Sequence, residues 1–207
     1  MVSGCTKVGG YSRAVVAVCA AALALAGCAS GVSKPSGTTA KPAPATPPAS
    51  STATSPAATA TTATHSGPGF TTTIPSGFSS HLSAAKNSPF NFLYFVVGPR
   101  RTNINVVRER TGAITNMNVI AAAEVRTLKR VFPRAHGFSR LDSLTVDGVP
   151  ARAIDYLNGA TGKLFHQRQI FAAHNGSTYV ITYTAIPSLY AASSQALSQV
   201  LRTWHWT

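Results

Sequence analysis

The plainest chemistry in this chain belongs to one thiol. Cys28 closes the segment Leu25-Ala26-Gly27-Cys28, behind an apolar run from Ala14 to Ala26 and two basic residues, Lys7 and Arg13. A basic start, a short apolar core and small residues before a cut are the layout of a secretion signal. A cysteine directly after the cut has the arrangement of a bacterial lipobox. This predicts thioether lipidation of Cys28, with residues 1–27 as the signal peptide. Each buried CH₂ of an acyl chain contributes ~0.8 kcal/mol, and more than one chain gives stable anchoring. The apolar run has 13 residues, short of the ~20 that span a bilayer. An uncleaved or simply secreted form is the alternative. Cys5 and Cys19 leave with the signal, so the mature chain folds without a disulfide.

The remaining candidates for chemistry are sparse. The histidines are His65, His81, His136, His166, His174 and His205, and none pairs at HxH or HxxxH spacing. No cysteine remains to complete a zinc set, so neither a metal nor a cofactor is expected. Serine, histidine and aspartate all occur, but without a G-x-S-x-G elbow. The carboxylates are Glu109, Glu124, Asp142, Asp147 and Asp155. Asp147 is committed to a turn, and Asp142 and Asp155 fall on different predicted strands. No Gly-rich phosphate loop is present. The expectation is a protein that is not an enzyme.

Glu124 is the odd carboxylate, because it falls on the apolar face of a predicted helix. A buried carboxylate must be paired or become neutral. Three readings follow: an ion pair with a sheet arginine such as Arg108 or Arg168, a carboxylate gripping a ligand in a pocket, or a helix turned so that Glu124 reaches solvent.

The net charge is +13, and its excess is local. Arg100 and Arg101 sit at a predicted hairpin tip, Arg108 and Arg110 on a strand, and Arg126, Lys129 and Arg130 on the polar face of a helix, with Arg134 beyond it. Arginine suits phosphate and carboxylate recognition through its planar fork. Nucleic acid is disfavoured as a partner, since the chain carries an export signal and lacks aromatics interleaved with its basic residues. Anionic lipid and acidic wall polymer are the partners available to a tethered domain. Arg100, Arg101, Arg126, Lys129 and Arg130 are the candidate contacts. A solvated cationic surface is the alternative.

The elements that position these residues read clearly. From Ala29 to Gly67 the chain is almost entirely Ala, Thr, Ser, Pro and Gly. It cannot bury enough apolar surface to offset ordering entropy, so residues 28–67 are expected to be a lipidated, disordered tether. Residues 68–207 form one domain of ordinary size. Phe70 to Ile74 alternates as a strand. Phe90–Val97 and Asn103–Arg110 read as a hairpin closed by Gly98-Pro99-Arg100-Arg101. Met117–Phe132 has helical periodicity and stops at Pro133. Four strands follow, near 138–144, 149–157, 164–173 and 178–185, with Asp147-Gly148, Asn158-Gly159 and Asn175-Gly176 as turns. A last helix spans about 188–202, and Trp204 and Trp206 pack at its end. The sum is an antiparallel sheet covered by helices.

Several of these stretches together carry a resemblance. Val146-Asp147-Gly148-Val149-Pro150-Ala151 leads into a strand with Tyr156. Arg168-Gln169, Tyr179-Val180-Ile181-Thr182-Tyr183-Thr184-Ala185, Tyr190 and Trp204-His205-Trp206 follow. These residues resemble actinobacterial lipoproteins of the LpqN and LpqT type and, more distantly, the PsbP-like family, which includes bacterial DcrB and a yeast Ran-binding protein. The resemblance implies an α/β/α sandwich and a non-catalytic binding or adaptor role at the cell envelope, on the outer face of the cytoplasmic membrane. Its partner would be an envelope protein, an anionic lipid or a glycopolymer. A carrier of a small apolar ligand, held between sheet and helix, and a hydrolase whose site does not show in the sequence are the alternatives.

Overall fold

The computed structural model describes residues 63–86, 91–110, 116–160 and 163–207. The predicted signal peptide, Cys28 and most of the predicted tether lie outside the described residues.

Two hairpin-forming segments open the domain: β1 (Thr64–Gly67), β2 (Phe70–Thr73), β3 (Ser79–Ser80), a single-turn helix α1 (Leu82–Ala85), then β4 (Phe92–Val97) and β5 (Asn103–Arg110). Helix α2 (Met117–Val131) follows, then β6 (Asp142–Val146), β7 (Val149–Ala160), β8 (Lys163–His174) and β9 (Ser177–Ala185). Helix α3 (Tyr190–Arg202) and β10 (His205–Trp206) complete it. Strands β3-β4-β5-β9-β8-β7-β6 lie in that order in a seven-stranded sheet, and β1-β2-β10 form a small second sheet. The pairings are antiparallel throughout.

The two helices cover opposite faces of the large sheet, because strand side chains alternate between faces. On the α3 face, Ile104, Val106, Ile170, Ile181 and Tyr183 pack with Leu197, Val200 and Trp204. On the α2 face, Ile154, Tyr156, Phe171 and Val180 receive Met117, Ala121 and Leu128. The result is the α/β/α sandwich with an antiparallel sheet. Asn116 starts α2 by accepting a hydrogen bond from the Asn118 amide at 3.0 Å, a side-chain cap of the kind that starts helices.

The turn residues explain most of the register. Asp147 and Gly148 (φ 46° and 77°) and Asn175 and Gly176 (φ 47° and 68°) are left-handed at both central positions, as tight hairpins require. Asn158-Gly159 differs from the expectation. It stays in the β7–β8 ladder, opposite Phe165 and Leu164, so β7 runs on to Ala160. There the pairing with β8 outweighs the local turn preference.

The start of the domain also needs correction. Thr64–Gly67 has the composition of the tether, yet it pairs residue by residue with Phe70–Thr73. His65 Nε2 lies 2.8 Å from the Leu93 carbonyl, and its ring meets Tyr94 edge-on at 5.0 Å. Gly69 (φ 92°) turns the chain so tightly that a Cβ there would lie 2.0 Å from the Tyr179 hydroxyl. Removing the chain up to residue 62 should therefore leave the melting temperature unchanged. Removing it through Gly67 should lower melting by roughly 4–8 °C, the equivalent of ~1–2 kcal/mol in a domain this size. Thermal unfolding of the two truncations compares them directly.

Candidate functional site

The five candidate basic residues lie on two elements at one end of the sheet. Arg100 and Arg101 occupy the short 3₁₀ turn Pro99–Arg101 between β4 and β5. Both are left-handed, with φ 52° and 68°. Such a conformation in a non-glycine residue costs on the order of 1 kcal/mol. Arg126, Lys129 and Arg130 are exposed on α2, and the Lys129 ammonium stands 5.2 Å over the Phe138 ring. Phe138 in turn stacks on Tyr156. Tyr156 belongs to the cross-strand row Tyr156–Gln167–Thr184–Asn103, and Asn103 adjoins the hairpin tip. The last turns of α2 and the tip are thus offset by about three strand spacings, roughly 14 Å. Arg108 and Arg110 are exposed farther along β5.

A second cluster joins β6, β7, β8 and the start of α3. Asp155 on β7 sits beside Arg168 on β8 and accepts hydrogen bonds from its guanidinium and from the Tyr190 hydroxyl. Arg168 also donates to Asp142 on β6 at 3.0 Å, so two aspartates from separate strands meet at one cation. His166 stacks on Tyr190 with ring centres 3.5 Å apart and lies 3.7 Å from Asp155. Burial lowers the His166 pKa, with Arg168 adding to the effect against Asp155. The neutral ring is therefore favoured. Burial, and then Asp155, push the Tyr190 phenol well up. Tyr183 donates to the Tyr190 carbonyl at 3.0 Å. The arrangement clamps the start of α3 onto β7 and β8. The signal was present in the sequence as Arg168, Tyr183 and Tyr190, but alternation alone does not say that Asp155 points to the same face as Arg168.

The third site is polar and buried. On the α2 face the row Asn105–Thr182–Gln169–Ile154 lies next to the row of Asn103, Thr184 and Gln167, and all of these polar residues are buried. Asn158 donates to Gln167 at 3.2 Å, and Gln167 to Thr184 at 3.1 Å. Glu124 of α2 is 5% exposed. The expected ion pair to Arg108 or Arg168 does not form: Arg168 is held by Asp155 and Asp142, and Arg108 projects from β5 into solvent. The charged neighbour of Glu124 is instead Glu109. Burial, and then the Glu109 charge, raise the Glu124 carboxyl to about 8, and burial raises Glu109 to about 7. Sequence alternation already set Glu109 on the face of Asn105 and Val107, but two strands' worth of arginines made an ion pair the simpler reading. No group of three or more potential metal ligands occurs among the described residues.

Comparison with known proteins agrees with this architecture. No protein-family model matches the chain, and no curated protein matches it. Among solved structures, cyanobacterial PsbP from Synechocystis sp. PCC 6803 superposes with a TM-score of 0.56 at 12% identity, over 75% of this chain and 98% of that one. LpqN of Mycobacterium tuberculosis, described as involved in cell envelope biogenesis, gives 0.48 at 16% identity, over 71% of this chain and 92% of that one. The Saccharomyces cerevisiae Ran-binding protein gives 0.48 at 15% identity, over 66% and 89%. The domain therefore has a PsbP-like fold.

Proposed function

We propose that this chain is an exported lipoprotein, anchored through Cys28 to the outer face of the cytoplasmic membrane, whose PsbP-like domain is a non-catalytic binding module for anionic envelope surfaces. What supports the reading is the exposure of Arg100, Arg126, Lys129 and Arg130, with Arg101 half-buried, on a hairpin tip and a helix near one end of the sheet. Backbone strain at Arg100 and Arg101 supports it, since strained turns gather where function constrains a loop. The lipobox-like segment before Cys28 supplies the membrane context. Anionic lipid is the simplest partner; an envelope protein or a wall polymer bearing phosphate or carboxylate has the same charge.

Each basic residue near an anionic membrane contributes ~1 kcal/mol, within a screening length of ~8 Å at physiological salt. The full chain carrying Cys28→Ser, which cannot be lipidated, should bind phosphatidylglycerol vesicles at low salt and release them as salt rises. Neutralising the five residues should abolish that binding without lowering the melting temperature. Vesicle sedimentation with anionic and neutral lipid reads both. Equal binding to neutral vesicles would remove the basis of this reading.

A further inference from the structure

A cleft opens on the α2 side of the sheet, at the end where β7 begins. Its volume is about 380 Å³, within the roughly 300–1,000 Å³ of small-molecule sites. Its walls are mostly apolar: Met117 from the start of α2, Val149, Pro150 and Ala151 from β7, and Ala173 from β8. Asn116, Asn118 and Arg152 are its polar residues. All of these are described residues, so placed atoms bound the space.

Arg152 is the cation on this cleft, and it is half-buried without a counter-ion. The carboxylates of the chain are Glu109, Glu124, Asp142, Asp147 and Asp155. All of them are described residues, and the ion pairs they form go to His166, Arg168 and His205. Arg152 is held by neutral groups instead. Its Nε donates to Asn118 Oδ1 at 2.7 Å, and its Nη1 reaches the Ala151 carbonyl at 3.4 Å. A guanidinium carries about five N–H donors, so the remaining ones, all on the two Nη nitrogens, have no partner among the described residues. That is the end of the fork that grips a carboxylate with two parallel bonds. Asn116 already caps the Asn118 amide, so the charge on the cleft is that of Arg152 and not of the helix end.

We propose that this cleft binds a small amphipathic acid, its carboxylate paired with the Nη groups of Arg152 and its hydrocarbon chain laid against Met117, Val149, Pro150, Ala151 and Ala173. A guanidinium without a counter-ion selects an anion, and its planar fork matches a carboxylate. The apolar walls favour a hydrocarbon body, because covering them removes apolar surface from water. The proposal goes beyond the anionic-surface reading and uses none of its residues. Arg152 stands opposite Phe171, whereas Tyr156 stands opposite Gln167 in the row that ends at Asn103. The cleft and the hairpin tip therefore lie toward opposite ends of the sheet, with roughly 13 Å of β7 between the two rows.

Octanoate is the probe, titrated calorimetrically into the full chain carrying Cys28→Ser, with butanoate and hexanoate as shorter acids and 1-octanol as the uncharged arm. Octanoate should bind saturably. Affinity should rise up to about fourfold for each CH₂ added along the acid series, the ratio that burying one such group corresponds to. Arg152→Gln keeps a donor for Asn118 and loses the charge, so it should weaken octanoate tenfold or more at an unchanged melting temperature. Val149→Trp narrows the cleft and keeps the cation, so it should weaken octanoate more than butanoate. Absence of saturable binding, a flat chain-length series, octanol binding as tightly as octanoate, or undiminished binding by Arg152→Gln would overturn the proposal.

Discussion

Glu124→Gln should stabilise the protein at mildly alkaline pH and remove much of its sensitivity to pH. In the folded chain the Glu124 carboxyl is raised to about 8 by burial and by Glu109, whereas in the unfolded chain it titrates near the ordinary value of ~4.3. Between those values the folded state binds the extra proton. Stability is therefore full below about pH 4 and falls as pH rises through the interval, ending near the folded value. A shift of this size corresponds to roughly 5 kcal/mol. Glutamine keeps the shape of the neutral acid and has no proton to lose. The variant should exceed the parent by about 4–5 kcal/mol near pH 8 and match it near pH 4. Glu109 leaves a smaller slope of the same sign in both. Urea titrations across this pH range measure the difference, and parallel profiles for the two proteins would show that Glu124 titrates normally.

Asp155→Ala should be the most damaging change in the β7–β8 clamp. Asp155 is the more buried of the two aspartates on Arg168, with side-chain exposures of 18% against 51% for Asp142. It also accepts from Tyr190. Its loss leaves a half-buried guanidinium with one exposed partner and takes from the Tyr190 phenol its carboxylate acceptor. Breaking a buried pair by removing one partner costs ~3–5 kcal/mol. Asp142→Ala removes an exposed pair, for which ~1 kcal/mol is the upper end. Tyr190→Phe should fall between, at about 1 kcal/mol for a hydrogen bond. Denaturant midpoints of the three variants give the ranking, and similar costs for Asp155→Ala and Asp142→Ala would mean that Arg168 is held mainly from outside.

The layers of this fold were legible because each rests on a short-range signal. Period-two alternation located β2, runs bounded by turn residues located β4, β5, β8 and β9, helical periodicity located α2 and α3, and Asp147-Gly148 and Asn175-Gly176 fixed two hairpins. The failures share a cause in long-range pairing. Asn158-Gly159 has turn chemistry, but β8 continues opposite it and holds it in the ladder. Thr64–Gly67 has the composition of a tether, but β2 turns it into a strand. The solitary Glu124 was visible as an apolar-face carboxylate. Its partnership with Glu109 was not, because only the register of β5 against β9 and the lie of α2 decide which charges meet.

The small sheet joins residues from the two ends of the domain, and this sets the order in which the fold can close. The Thr72 hydroxyl donates to the Val200 carbonyl across 128 residues, and Phe70 stacks on Trp204 with ring centres 4.1 Å apart. β2 gains the second of its strand partners only when α3 and β10 have been delivered. Contacts this distant in sequence slow folding, since loop closure comes before any return. The domain consequently closes only once its last strand is available.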